Sequence, residues 1–333
     1  VNEAKPESTP KPQSLGGRLR GVLSVPEVGV LIPLILLSLL FYALKPVFLS
    51  ANNIAAILRA VSFVGIIAIG QTFLMISGAF DLSVGSTAGL CAIVCSYLMV
   101  NLQVPPALAV VIGVAVGGLV GLVNSFVVLK LGVPAFIATL GMLYIARGAS
   151  YLISKGYTIY PLPESVQTFG LAEPLGISWS FLILIGLGIV ADLVLRRTVY
   201  GRTLYATGGN KEVARLAGIN TNLVSMSAFV LVGMLAGLAG ISLMARIVTG
   251  QPQIGQGWEL NVIAGVVIGG VSLFGGSGTI AGALVGLLLM QVVNSGLVTV
   301  GVNPYWQTLS VGVIMILAVT IDLIRRRAKI QAS

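Results

Sequence analysis

The chain has 333 residues, of which 56% are hydrophobic and only 9% charged, with a formal net charge of +9. Soluble domains carry about 25% charged residues, so this composition excludes a water-solvated surface and makes lipid the solvent. There is no histidine, which removes the commonest proton relay and metal ligand. Two cysteines four apart in an apolar run, Cys91 and Cys95, read as small packing residues rather than a disulfide framework.

The first 27 residues, rich in Pro, Lys and Ser, hold too little apolar content to fold and are expected to form a disordered cytoplasmic arm. An apolar run begins at Val28 and lacks a small-residue cleavage site before Lys45, so it reads as a first span and not a signal peptide. A helix needs roughly 20 apolar residues to cross the hydrocarbon core. The expected spans are Val28–Leu44, Ile54–Ile76, Leu82–Val100, Ala107–Leu129, Pro134–Ile153, Ile177–Leu195, Leu223–Ala245, Leu260–Phe274, Thr279–Val298 and Trp306–Ile324. This is an all-α, polytopic membrane protein of about ten transmembrane helices. The membrane domain runs over 28–324, is interrupted by a polar loop at 196–222, and ends in a basic tail at 325–333.

Lysine and arginine give the orientation. With the N-terminus in the cytoplasm, 14 of the 19 basic residues fall inside: four in the arm, Lys130, five in the Arg196–Arg215 loop and four at Arg325–Lys329. Only Lys45, Lys155 and Arg246 fall outside, and Arg59 and Arg147 lie within spans. That asymmetry is the positive-inside pattern, with both termini cytoplasmic. The excess charge is therefore topological and directed to lipid headgroups rather than to nucleic acid.

The longest polar passage is "YGRTLYATGGNKEVARLAGIN", Tyr200–Asn220. Asn210 is placed to cap a short helix from Lys211 to Ala217, and Gly218 to end it in a left-handed conformation. Val213, Leu216 and Ala217 share one face, while Lys211, Glu212 and Arg215 point elsewhere. It is either a docking helix or an ordinary solvated loop.

These residues resemble the coupling loop of the monosaccharide ABC-importer permeases, of the branched-chain amino acid and sugar permease superfamily. Glu212, Ala214 and Gly218 keep the spacing of the importers' Glu-Ala-Ala-x3-Gly signature, with Val213 at the first alanine. "ISGAFDLSVGS" (Ile76–Ser86), "GQGWELNVIAGVVIGGVSLFGGSGTIAGALVG" (Gly255–Gly286) and "VVNSGLVTVGVNPYWQ" (Val292–Gln307) are similar to three further family segments, so the resemblance covers roughly Val28 to Asp322. Ser295, Asn261 and Trp258 depart from the residues usual there. The resemblance implies a type II-like permease fold in the bacterial inner membrane and a second permease copy as partner. It further implies a cytosolic ATPase subunit that binds ATP and Mg, and a periplasmic sugar-binding protein. No cofactor is expected in this chain. It implies that Asn210, Lys211, Glu212, Ala214, Arg215, Leu216 and Gly218 meet the ATPase. From the residues alone, none of the seven lysines follows a glycine, so no Walker loop exists and the energy must come from elsewhere.

Gly276-Ser-Gly278-Thr-Ile-Ala281 mimics a dinucleotide fingerprint but follows a span, not a strand, and reads as a tight turn. Gly113, Gly117 and Gly121, and the pairs Gly233/Gly237, Gly265/Gly269 and Gly282/Gly286, recur every four residues, a spacing that lets helix backbones touch. Gly78, Leu82, Gly85 and Ser86 are echoed weakly by Gly269, Leu273, Gly276 and Ser277, for no evident reason. Asp81 stands at a span junction as either a helix cap or a pathway residue. Gln71, Trp258, Asn261, Gln291 and Asn294 offer hydrogen bonds either to a solute or between helices. Arg59, Arg147 and Arg246 snorkel to headgroups, meet a binding protein or line an outer vestibule. The function expected is translocation of a monosaccharide or related polyol without enzymatic activity of its own. The alternatives are a permease for a nucleoside, a branched-chain amino acid or a signalling furanose, and an ion-coupled transporter. An intramembrane lipid enzyme would need paired carboxylates, a Cys–His pair or a metal cluster, and the sequence displays none.

Overall fold

A computed structural model describes residues 26–303 and 305–332; most of the N-terminal arm lies outside them. In chain order the helices are α1 (Pro26–Leu44), α2 (Ala51–Ile76), α3 (Val84–Val100), α4 (Pro106–Leu129), α5 (Ala135–Ser154), α6 (Glu164–Leu171) and α7 (Trp179–Arg197). They continue with α8 (Val199–Gly209), α9 (Lys211–Leu216), α10 (Thr221–Ile247), α11 (Trp258–Ile268), α12 (Ile280–Val300) and α13 (Tyr305–Ala332). Among the described residues, seven helices are long and apolar enough to cross a membrane, and α1, α3 and α11 are shorter apolar helices. Each of the ten expected spans therefore has its helix. The clearest difference is α11, which stops at Ile268 rather than at Phe274. Gly269 and Gly270 follow it, and Gly270 takes a positive φ of 89°, so the apolar residues beyond belong to a loop.

Long α10 is the axis of the bundle and packs on α2, α3 and α4. Its contact with α4 is a glycine seam. A Cβ on Gly117 would strike the Gly233 carbonyl, one on Gly233 would strike the Gly117 carbonyl, and one on Gly121 would strike the Phe229 carbonyl. The register shows the two helices antiparallel. α11 and α12 meet in the same manner, Gly265 against Gly286 and Gly269 against Gly282. Without a hydrophobic drive between helices in lipid, such backbone contact supplies the packing.

The packing repeats. α3 lies on α4, α5 and α10, and α11 lies on α12, α13 and α2; α10 lies on α4 as α2 lies on α12. Exchanging α2–α5 with α10–α13 leaves this pattern unchanged, although the two units run in opposite directions. That is the arrangement of an inverted repeat. It does not account for the weak sequence echo: 78–86 leads into α3, whereas 269–277 leads out of α11.

In both units the second helix begins inside the bundle. A Cβ on Gly240, nineteen residues into α10, would strike the Ala88 carbonyl, which places the start of α3 beyond the midpoint of its neighbour. Residues 248–257 then run back along α3: Gly250 packs on Ser96, Pro252 and Ile254 on Gly89, and Gly255 on Gly85. Irregular backbone at membrane depth is tolerated only where protein covers it, and here α3 and α5 do so.

Candidate functional site

The two short helices start side by side. A Cβ on Gly85 would strike the Gly255 carbonyl, and one on Gly255 would strike the Gly85 carbonyl. Glu259, in the first turn of α11, lays its carboxylate over Gly85, in space that any larger residue would fill. Arg147 of α5 donates from Nη1 to the carbonyls of Pro252 (2.5 Å) and Ile254 (2.9 Å), fixing the irregular segment to α5. Trp258 stacks on Phe63 at 6.3 Å.

Buried polar atoms normally find partners, and each that does not costs about 1–3 kcal/mol. At this junction Glu259 Oε2, Asn261 Oδ1 and Thr87 Oγ1 have none, while Asn261 Nδ2 donates to the Gly257 carbonyl at 2.9 Å. The first turns of α3 and α11 thus carry a carboxylate oxygen, an amide oxygen and a hydroxyl without partners, each able to accept from a hydroxyl donor. The antiparallel register of α11 and α12 brings Gln291 and Asn294 of α12 to the level of Asn261 and Gly257. Gln71, fully buried with both amide atoms unpartnered, stands apart, about 12 Å along α2 from Phe63.

Asp81 is only 1% exposed. α3 begins two residues later than its expected start, so Asp81 does not sit at the helix N-cap, which is Ser83. Its Oδ1 instead accepts from Ser83 N (2.7 Å) and Ser83 Oγ (2.6 Å), closing a local turn. Asn124 Nδ2 on α4 donates to Asp81 Oδ2 and to Ser83 Oγ, each at 3.0 Å. The carboxylate is thus spent on holding segment 77–83 to α4.

At the end of the bundle that carries Arg202, Lys211 and Arg215, α8 and α9 form a protruding knob. Asn210 Oδ1 accepts from Glu212 N (3.0 Å) and Val213 N (3.1 Å), and Gly218 takes a φ of 84°. Helix α9 is six residues long and ends at Leu216, a residue short of its expected end. Ala214 is buried, while Val213 and Leu216 are 59% and 83% exposed among Lys211, Glu212 and Arg215. An apolar pair left in water and ringed by charge suits protein contact. α8 was not anticipated, because it is short and polar; its one sequence signal is Thr198, whose hydroxyl caps it through Gly201 N. Tyr205 of α8 donates to the Gly278 carbonyl at 2.7 Å. Burial raises its hydroxyl pKa, outweighing the opposite pull of Arg196, so Tyr205 is a protonated donor at neutral pH.

At the opposite end Glu173 Oε1 accepts from Arg59 Nη1 (3.1 Å) and Arg246 Nη2 (2.9 Å). These two arginines tie the connection between α6 and α7 to α2 and α10 rather than reaching for headgroups.

The family described as branched-chain amino acid transport system / permease component matches residues 53–319. The chain belongs to that family. The permease is 38% identical over 300 residues to the ribose import permease protein RbsC of Escherichia coli strain K12, covering 89% of this chain and 93% of that protein. It is 36% identical over 303 residues to the fructose import permease protein FrcC of Rhizobium meliloti, covering 87% and 84%. It is also 36% identical over 303 residues to the L-arabinose transport system permease protein AraH of E. coli K12, covering 91% and 92%. No solved structure matches the permease. It is a multi-pass membrane transport subunit. Sequence reasoning missed Glu259 and the backbone grip of Arg147; the signal available was an acid one residue after Trp258 and an arginine inside a span.

Proposed function

We propose that the permease is the membrane subunit of an ATP-driven importer that carries a monosaccharide or related polyol, working as a pair of copies. A binding protein delivers the sugar at the Glu173 end, and a cytosolic ATPase docks on α9 at the other. Three relatives named for ribose, fructose and arabinose support the substrate class. The distribution of basic residues supports a cytosolic α8–α9 end, with both termini on the same side.

One observation carries the coupling reading: α9 stands outside the bundle, capped at one end and pinned by Ala214, with Val213 and Leu216 in water. ATP binding in the partner draws the paired ATPase subunits together and tilts α9. The bundle then exchanges outward and inward openings by rocking one repeat on the other. At the membrane centre Glu259, Asn261 and Thr87 exchange their unpaired state for hydroxyl donors of the passing sugar, and Trp258 offers an apolar face to its C–H groups. Because α11 begins there, its N-terminal dipole moderates the charge of Glu259.

The test is uptake of labelled ribose, fructose and arabinose into liposomes holding permease and ATPase, with binding protein added. Combined Glu212→Lys and Arg215→Glu substitution is expected to abolish coupled uptake. Unchanged uptake contradicts docking at α9. The family description names branched-chain amino acids, so leucine belongs in the same assay, and leucine uptake without sugar uptake would reverse the substrate reading.

A further inference from the structure

The two sequence segments that echo each other, 78–86 and 269–277, are not equivalent in the inverted repeat, yet they converge on one residue of α8. Gly276 N donates to the Ile76 carbonyl at 2.9 Å, joining the end of α2 to the loop after α11. Gly208 lies against this bond. A Cβ there would collide with the Ile76 carbonyl and come within 2.6 Å of Gly276 N. From the other side, a Cβ on Gly275 would lie 2.9 Å from Gly208 Cα and 2.9 Å from Gly78 Cα, and one on Gly276 would lie 2.9 Å from Gly209 Cα. Gly275 and Gly276 have positive φ, 89° and 76°, so the loop presents bare backbone. Three strands of main chain therefore meet with no side chain between them, beside the Tyr205–Gly278 bond.

What each strand leads to matters. From Ile76 the chain passes through the Asp81–Ser83–Asn124 clamp into α3, whose first turn touches Gly255. Backwards from Gly276 the chain enters α11, whose first turn holds Glu259. Forwards from Gly208 the chain enters α9 through Asn210. One glycine thus abuts both the end of α2, from which the chain leads into α3, and the loop that leaves α11, and it lies two residues before Asn210, the cap of α9.

We propose that Gly208 is the positioning residue through which α8 moves α3 and α11 together, so that displacement of α9 reaches both halves of the membrane-centre junction at once. This rests on the proposed docking of an ATPase at α9. Backbone-to-backbone packing has no side-chain rotamers to absorb a displacement, so it transmits a shift that a flexible contact would dissipate. The proposal assigns the work of coupling to α8 and leaves α9 as the handle.

The molecule supplies a matched control. Gly209, the next residue of the same helix, has nothing within 4 Å of a Cβ. Alanine favours a helix over glycine by about 1 kcal/mol at either position, so the two substitutions differ in the contact alone. The complete transporter in liposomes, with ribose, fructose and arabinose as probes, gives three readings: ATPase subunit retained on the permease, ATP hydrolysed, and sugar taken up per ATP. Gly208→Ala is expected to retain the ATPase subunit and its basal hydrolysis while uptake per ATP falls about ten-fold, within the range of coupling between distant sites. Gly209→Ala is expected to match the unmodified protein. Equal coupling in both variants, or equal loss in both, overturns the proposal.

If Gly208→Ala does not accumulate in the membrane, Tyr205→Phe takes its place. It removes only the bond to Gly278, and uptake per ATP is expected to fall roughly three-fold; an unchanged ratio overturns the proposal. Failure of the ATPase to stay on the unmodified permease defeats the docking reading instead. Retention with undiminished coupling in Gly208→Ala defeats the pivot alone.

Discussion

The α4–α10 seam and the α8 joint are both made of glycine against backbone, yet they do different work. In the seam, Gly113, Gly117 and Gly121 lie in regular helices and meet Gly237, Gly233 and Phe229 along one straight register. Two rods are locked over a long line of backbone contact. In the joint, a helix end meets two irregular loops at a single point, one leading into α3 and the other out of α11, the two helices that start inside the bundle. The lesson is that close approach by itself specifies neither rigidity nor movement. What the touching segments continue into decides it.

The largest effect that sharpens this contrast is in the seam. Gly117→Leu drives a side chain into the Gly233 carbonyl, and overpacking of this kind costs about 1–3 kcal/mol or more. We expect the variant to vanish from the membrane fraction on immunoblots, whereas joint variants remain. A seam variant that is present and folded but uncoupled would erase the distinction.

Next is the membrane-centre junction. Gly85→Ala forces back the Gly255 carbonyl and pushes Glu259 aside without touching the seam, and we expect folded protein whose sugar uptake falls about ten-fold, roughly 1.4 kcal/mol. Glu259→Gln keeps the shape and loses the charge, and a smaller loss is expected from it. Uptake equal to that of the unmodified protein in both would remove Glu259 from the pathway.

The Asp81 clamp follows. Asp81→Asn sets an amide against the Asn124 amide and is expected to lower thermal stability in detergent by about 1–3 kcal/mol. The exchange Asp81→Asn with Asn124→Asp restores a donor–acceptor pair and should recover most of the loss; no recovery would mean that Asp81 does more than tie 77–83 to α4. The smallest effect is at the far end. Glu173→Gln weakens two partly exposed ion pairs, each worth about 0–1 kcal/mol, and a barely shifted melting curve is expected.

Much of the fold was legible because apolar runs of bilayer length have few other uses. Helix starts at Val84 and Trp258 were harder to place, since hydropathy does not register that a chain is still irregular while already inside the bundle. Phe274, 42% exposed, reads as part of a span because an apolar loop continues the hydropathy of the helix it follows. The cap at Asn210 and the turn at Gly218 were readable because both are local chemistry. The meeting of Gly208 with Ile76 and Gly276 was not, because it joins residues far apart in sequence through atoms that every residue possesses. Arg59 and Arg246 look like snorkelling cations until Glu173, more than 70 residues from either, is seen between them.

The claim beneath all of this is that α9 faces the cytosol. Cys91 and Cys95 are buried, so Leu216→Cys, at an 83% exposed position, gives one reactive thiol for a membrane-impermeant maleimide. The account requires no labelling in intact spheroplasts and full labelling in inside-out vesicles. Labelling in spheroplasts and none in vesicles would put the knob on the side where no ATPase can hold it.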